Sequence, residues 1–411
     1  MATAVTETTN VVDLFRRLLP IRGDNPPGDT RAVAEFVAGW LEGVGAEVHT
    51  EEPKEGLVNL WATTGVDHGP HLVLCGHMDT FPLGDPTAWT HDPSAAIVDD
   101  NGFIYGRGAS AARGGFASLL WTFGEFVKSG GPQTGRLTLL AVSDTESGGA
   151  WGAGWMVENV PSVVGTACLL GEPEGPKAIR IGEKGKAQFA LRVTGGRSYP
   201  GAFGGGDDPI IRLCRAVVAL RGITTELRAH DVAPEIEHAI AALDGYARSP
   251  KEAGLSWLLR QPSLNVGKIE GGTKVNLAPE DAQALVDVRP PFGMTAEDVY
   301  EYVRRTLDET QLNDVQVEPL EPRIQPSFTS PSDPFVALAG EAVRELVGEE
   351  PVLSVGYAST DARYFRPRGI PSIVYGPTPY NIGGVDEAVR LEELETIAAV
   401  HGEIVRRYLG G

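Results

Sequence analysis

The most compact piece of chemistry in this chain is Gly76-His77-Met78-Asp79, where a carboxylate stands two residues from an imidazole. Such a carboxylate can bind one ring nitrogen and fix the tautomer, leaving the other nitrogen as a general acid or base. Two further acidic points, Asp144-Thr145-Glu146 and Gly171-Glu172-Pro173, each follow a short apolar run. Ends of strands are where function gathers in α/β sheets. The plainer readings are a structural hydrogen bond for His77-Asp79, and ordinary bonds to arginine or backbone for the glutamates. Gly106-Arg107-Gly108 reads as a tight turn, because no lysine and serine follow it at the spacing of a phosphate-binding loop.

The elements that must position these residues are legible in the apolar spacing. Val11 to Leu19 carries a helical stripe ended by Pro20, and Asp29-Thr30 offers a cap for a second helix running to Gly45. Short β-type runs at 58–62, 71–75, 136–142 and 167–170 alternate with helical stretches near 114–128 and 149–158, which predicts an α/β layer with a largely parallel sheet. From about Lys186 the order becomes strand (188–193), helix (209–220), strands near 263–270 and 281–289, helix (296–307) and strand near 314–320, as in an inserted α+β unit. Residues 229–261 read as a helical excursion within it. After Arg323 the first pattern resumes, with a helix at 334–347, a strand at 372–375 and a closing helix at 391–408. The expected organisation is therefore a catalytic domain in two parts, 1–186 and 323–411, interrupted by a lid at 187–322.

Composition narrows the partners. The 411 residues are 42% hydrophobic and 22% charged, and the 51 glycines and 30 prolines are dispersed, so a real core is expected. With 35 basic against 55 acidic residues the formal charge is −20, which disfavours nucleic acid and anionic membranes. Cys75, Cys168 and Cys214 are far apart and mostly in apolar runs, consistent with buried thiols in a reducing compartment. Met1 to Asn10 lacks the order of a secretory signal, and no apolar run reaches membrane-spanning length, so the expectation is cytoplasmic.

Several separated segments resemble the zinc-dependent M20 peptidases and deacetylases, the group of acetylornithine deacetylase, succinyl-diaminopimelate desuccinylase and glutamate carboxypeptidase. They are Asn25-Pro26-Pro27-Gly28, Gly76-His77-Met78-Asp79-Thr80, Trp89, Tyr105-Gly106-Arg107-Gly108-Ala109, Arg113-Gly114-Gly115, Asp144-Thr145-Glu146, Gly171-Glu172-Pro173, Gly182-Glu183-Lys184-Gly185, Asn276, Asp287 to Arg289, Thr360-Asp361-Ala362-Arg363 and Asp386-Glu387. The resemblance covers nearly the whole chain. It implies an M20-type α/β catalytic domain with a mostly parallel central sheet, plus an inserted ferredoxin-like α+β lid through which such chains commonly form homodimers. It also implies two zinc ions sharing a carboxylate, with a glutamate to take the proton of a water.

The resemblance breaks where the metals belong. His77 and Glu172 match ligands of one metal, Asp79 the carboxylate that orients His77, and Glu146 a ligand of the other metal. The bridging aspartate falls on Ala111, the final histidine on Gly383 and the glutamate base on Thr145, and no histidine lies between 239 and 400. Catalytic zinc usually has about three protein ligands. No cofactor is therefore expected, with zinc held by His77, Glu172 and Glu146 as the alternative. Without cations, Glu146 and Glu172 would face each other as like charges, raising the pKa of at least one. By the same resemblance Arg289 matches the anchor of a substrate carboxylate, Asn276 a lid residue that hydrogen-bonds the substrate or the reacting oxygen, and Tyr199 the lid histidine that crosses the dimer; the plain readings are a lid salt bridge for Arg289 and a filler for Tyr199. Thr145 and Tyr199 would offer hydroxyls to an oxyanion. Tyr380 is placed beside the vacated space from its loop position.

The expectation is an enzyme that works without paired zincs on a small, amino-acid-like or acylated, carboxylate-bearing substrate. Its acid/base chemistry would suit C–N bond rearrangement, cyclisation, elimination or isomerisation. The alternatives are a conventional or single-zinc amidohydrolase cleaving an N-acyl amino acid or peptide, and a non-catalytic binding protein.

Overall fold

Fifteen strands follow from the apolar runs among the residues that the computed structural model describes, namely 8–195, 208–229, 232–246 and 253–410. They are β1 (Val48–Lys54), β2 (Leu57–Gly65), β3 (His71–His77), β4 (Phe103–Tyr105), β5 (Arg136–Val142), β6 (Ala167–Leu170), β7 (Ala178–Glu183), β8 (Lys186–Thr194), β9 (Ser263–Gly271), β10 (Asp281–Arg289), β11 (Gln316–Ile324), β12 (Ser327–Phe328), β13 (Val352–Gly356), β14 (Ser372–Val374) and β15 (Ala388–Arg390).

Every residue of β3 is buried, as expected of a strand covered on both faces. Leu72 and Leu74 turn to one core with helices Gly114–Lys128 and Leu391–Leu409, whereas Val73 and Cys75 turn to a second with Trp155–Asn159 and Phe365. The alternation of β side chains thus separates two helical layers. β3 pairs in parallel with β5 and β6, and β14 pairs in parallel with β6. The predicted parallel layer is this centre, β5-β3-β6-β14. Antiparallel pairings flank it, through β2 and β1 on one side and β7 and β12 on the other, and β13 lies parallel to β7, so the nine-stranded sheet is mixed. The four central strands end side by side, and that shared end positions the site.

The second sheet is antiparallel in the order β11-β8-β10-β9. Helices Pro209–Leu220 and Ala296–Glu309 pack on it through Leu213, Ala216, Val299 and Val303, giving a β-α-β-β-α-β succession around its own core. Thr295 and Asp298 close the start of the later helix with a reciprocal capping box. The excursion differs from expectation: helix Pro234–Ala242 belongs to the first core, because Ile236, Ala239 and Ile240 bury themselves there. Cys75 and Cys168 are buried as predicted, while Cys214 is exposed on the outer side of its helix. Among the described residues, no helix is long and apolar enough to cross a membrane.

Candidate active site

His77 closes β3, and Asp79 follows within the same buried turn. The imidazole Nδ1 lies 3.1 Å from Asp79 Oδ1 and 3.0 Å from the Asp79 carbonyl oxygen. Both are acceptors, so Nδ1 carries a proton and Nε2 is left for the cavity. Asp79 also accepts from Asn25 Nδ2 at 3.0 Å and from the backbone N–H groups of Thr145 and Glu146 at 3.2 and 3.0 Å. Burial opposes ionisation of Asp79, but the His77 bond and these other donors win and hold its pKa below the ordinary value. For His77 burial likewise opposes the charge, yet the Asp79 bond and the negative fields of Asp79, Glu172 and Glu146 raise its pKa to about 10. The ring is an imidazolium at neutral pH.

Thr145 and Glu146 stand on a short turn after β5. The chain enters it through Asp144 at φ 73°, a left-handed conformation supported by the bond from the Trp151 N–H to its carboxylate at 3.0 Å. Thr145 gives its hydroxyl proton to Asp361 Oδ2 at 2.6 Å, so the hydroxyl expected to meet an oxyanion is already engaged. Asp361 is fully buried beside Arg363, a placement that its motif Thr360-Asp361-Ala362-Arg363 does not announce. Burial raises its pKa.

Glu172 follows β6, so His77, Thr145-Glu146 and Glu172 come from three adjacent strand ends. They line one cavity of roughly 200 Å³, whose other walls include Phe81, Ala111, Pro379 and Ile382. Neither glutamate side chain accepts a hydrogen bond from a described residue. Burial raises Glu146 to about 8 and Glu172 to about 7, against the pull of His77.

The remaining predicted residues lie elsewhere. Arg289 ends β10, where its Nε donates to Asp287 Oδ2 at 3.0 Å, and it does not line the cavity. Asn276 is exposed in the loop between β9 and β10. Tyr380 bridges to Ala388 and sets its ring edge-on to Phe103, leaving its neighbours Pro379 and Ile382 to face the cavity. Tyr199 lies outside the described residues.

These donors do not fit a two-zinc centre. Among the described residues, no group of three or more His, Cys, Asp or Glu side chains is arranged to hold a metal ion. Ala111 presents only a methyl group to the cavity. Gly383 has φ 67°, and a Cβ there would stand 3.2 Å from the Phe81 ring, so a histidine is disfavoured by backbone and space alike. The loop bearing Ala111 is nonetheless firmly tied: Glu387 accepts from Arg107 Nη1 and from the N–H groups of Gly108, Ser110 and Ala111.

Comparison with known proteins agrees with this architecture. The sequence profile of "Peptidase family M20/M25/M40" matches residues 73–407. A succinyl-diaminopimelate desuccinylase from Xanthobacter autotrophicus is 30% identical over 91% of this chain and 93% of its own length, and one from Methylobacterium radiotolerans is 30% identical over 86% and 84%. Among solved structures, an M20 family metallo-carboxypeptidase from Sulfolobus solfataricus superposes with a TM-score of 0.80 at 17% identity, covering 98% of this chain and 100% of that one. Human carnosine dipeptidase 1 gives 0.70 at 18%, covering 96% and 97%. At such identities the solved structures speak for the fold alone.

Proposed function

This chain belongs to peptidase family M20/M25/M40, an enzyme scaffold of hydrolase type, and from that membership we propose a metal-independent acid/base enzyme that has lost the di-zinc centre and its glutamate base. The observation that carries the proposal is the joint presence of His77, Glu146 and Glu172 in one cavity whose donor set fits no metal pair. Carboxyl groups with raised and unequal pKa values divide into an acid and a base. Burial raises both Glu146 and Glu172 into the neutral range, so near pH 7.5 the pair holds a proton that one carboxyl can donate while the other accepts. The His77 imidazolium steadies negative charge developing between them.

The substrate class is a small amino-acid-like or acylated carboxylate. The name of the desuccinylase relatives supports an acylated amino acid. Proton transfer in both directions suits C–N rearrangement, cyclisation, elimination or isomerisation. We place the enzyme in the cytoplasm, and as a homodimer through the lid; exposed Ile211 and Val218 on helix Pro209–Leu220 and Ile269 on β9 support the dimer, which sedimentation tests.

The central test screens N-acyl amino acids with chelator-treated protein and follows product mass. Turnover is expected to survive the chelator, to rise through pH 7 and to fall beyond pH 8. His77→Gln should lower kcat by about 10²- to 10⁴-fold. Stoichiometric zinc, with activity abolished by the chelator and restored by the metal, would return the chain to ordinary amide hydrolysis.

A further inference from the structure

We propose that Arg180 anchors the carboxylate of the substrate at the wall of the cavity. This rests on the reading that the cavity is the site of chemistry, and it adds the group that orients the substrate there.

β7 is buried along its whole length, and Arg180 at its centre is only 7% exposed. A guanidinium so placed must be paired, because desolvating an unpaired charge is costly. One side of the fork is held: Nε donates to Glu174 Oε2 at 2.6 Å and Nη2 to the Pro173 carbonyl at 2.7 Å. Ser354 in turn donates to the other oxygen of Glu174. The Nη1 side makes no hydrogen bond to any described residue, although Arg180 is close enough to Glu172 to lower its proton affinity. A cation steadied from behind and open in front is prepared for an anion.

Two observations direct that open side to a ligand. First, a Cβ at Gly356 of β13 would stand 3.1 Å from Cδ, Nε and Nη1 of Arg180, so the strand beside the guanidinium leaves it room. Second, spare donors around the cavity are scarce. Thr145 donates to Asp361, Ser359 to the Lys184 carbonyl and Thr360 to Glu183. Among the described residues Arg180 is the only arginine or lysine lining the cavity, whereas Arg289 is tied to Asp287 away from it. Arg180 and the Nε2 nitrogen of His77 thus frame a bound molecule, with its carboxylate at one and its reacting atoms at the other.

The test measures binding without turnover. N-acetylglycine, and N-acetylglycinamide as its uncharged counterpart, are titrated into the wild-type protein, Arg180→Gln, Arg180→Lys, Arg289→Gln and Gly356→Ala by ligand-observed NMR. Wild-type protein is expected to prefer the acid, and Arg180→Gln to weaken it about 10- to 100-fold, the worth of one charged hydrogen bond. Arg180→Lys should recover part of the loss, Gly356→Ala should weaken binding by crowding the fork, and Arg289→Gln should leave it within about twofold of wild type. Equal affinity for acid and amide, or undiminished acid binding in folded Arg180→Gln, overturns the proposal, as does a loss confined to Arg289→Gln. Should Arg180→Gln fail to fold, Gly356→Ala decides, and unchanged affinity there overturns it. A chelator-sensitive hydrolase with an Arg180-dependent acid site would instead sink the metal-independent reading and leave the anchor standing.

Discussion

Two sets of glutamates are treated in opposite ways: Glu387 on one hand, and Glu172 with Glu146 on the other, the first two buried and Glu146 half-buried. Glu387 is saturated with donors, taking Arg107 at 2.7 Å and three backbone N–H groups at 2.9 to 3.1 Å. Glu146 and Glu172 face the cavity without a hydrogen bond from any described residue, and their pKa values climb to about 8 and about 7. The supply of hydrogen-bond donors is what differs between them. The contrast teaches where the fold keeps rigidity and where it keeps proton affinity. Glu387 pins the loop that carries Ala111, so the backbone beside the cavity stays in place although Ala111 brings only a methyl group to it.

The sharpest way to break the comparison is to remove one carboxylate of each kind. Glu387→Ala leaves the Arg107 guanidinium buried beside three unmet N–H groups, and should cost about 3–5 kcal/mol. Glu172→Gln removes a charge that the site disfavours and should cost nothing at pH 8. Urea unfolding of both variants measures this, and equal losses would erase the distinction.

The second test uses pH. His77 is raised from 6.5 to about 10, so its stabilising contribution is complete below 6.5 and is lost as pH climbs to 10. Glu146 and Glu172 are raised from 4.5, so they impose no penalty below 4.5 and a growing one up to about 8 and about 7. All three shifts have the same sign: the folded state binds more protons than the unfolded chain, and stability must fall with rising pH across this window. Between pH 5 and 9.5 the wild-type protein is expected to lose clearly more stability than the His77→Gln/Glu146→Gln/Glu172→Gln variant. Parallel stability curves for the two proteins would show that the cavity holds no excess protons.

What the sequence disclosed follows from the physics of each signal. Helices with strong stripes, such as 114–128 and 334–347, and buried runs such as 136–142 stand where the periodicity puts them. His77, Glu146 and Glu172 meet in one cavity because each sits at a strand end, which a run of apolar residues followed by a glycine or an acid announces. β7 and β13 were not anticipated: β7 interrupts its buried run with Arg180, and β13 is five residues long. Arg180 and Gly356 were missed with them, since periodicity does not show that an arginine is buried against another strand. Asp361 belongs to the segment Thr360-Asp361-Ala362-Arg363, but its bond to Thr145 joins positions 216 residues apart, a pairing that no local pattern encodes. The displaced helix 234–242 shows the same limit, because a stripe specifies that a face is buried and not which core receives it.

Asp361 stands between the two extremes, with one hydroxyl donor and one arginine, and gives the finest test. Thr145→Val keeps the shape of the side chain and deletes only the hydroxyl that bonds the buried carboxylate at 2.6 Å. Arg363 remains, 3.2 Å from the other oxygen, so the charge keeps a partner and the expected loss is modest, about 1–2 kcal/mol. Thr145→Ser retains the donor and should lie within about 0.5 kcal/mol of wild type. A difference between the two variants that grows above the ordinary carboxylate range would place Asp361 with Glu387 as an acid held by its donors. A difference that is absent at every pH would place it with Glu146 and Glu172, as a group whose proton is kept by burial.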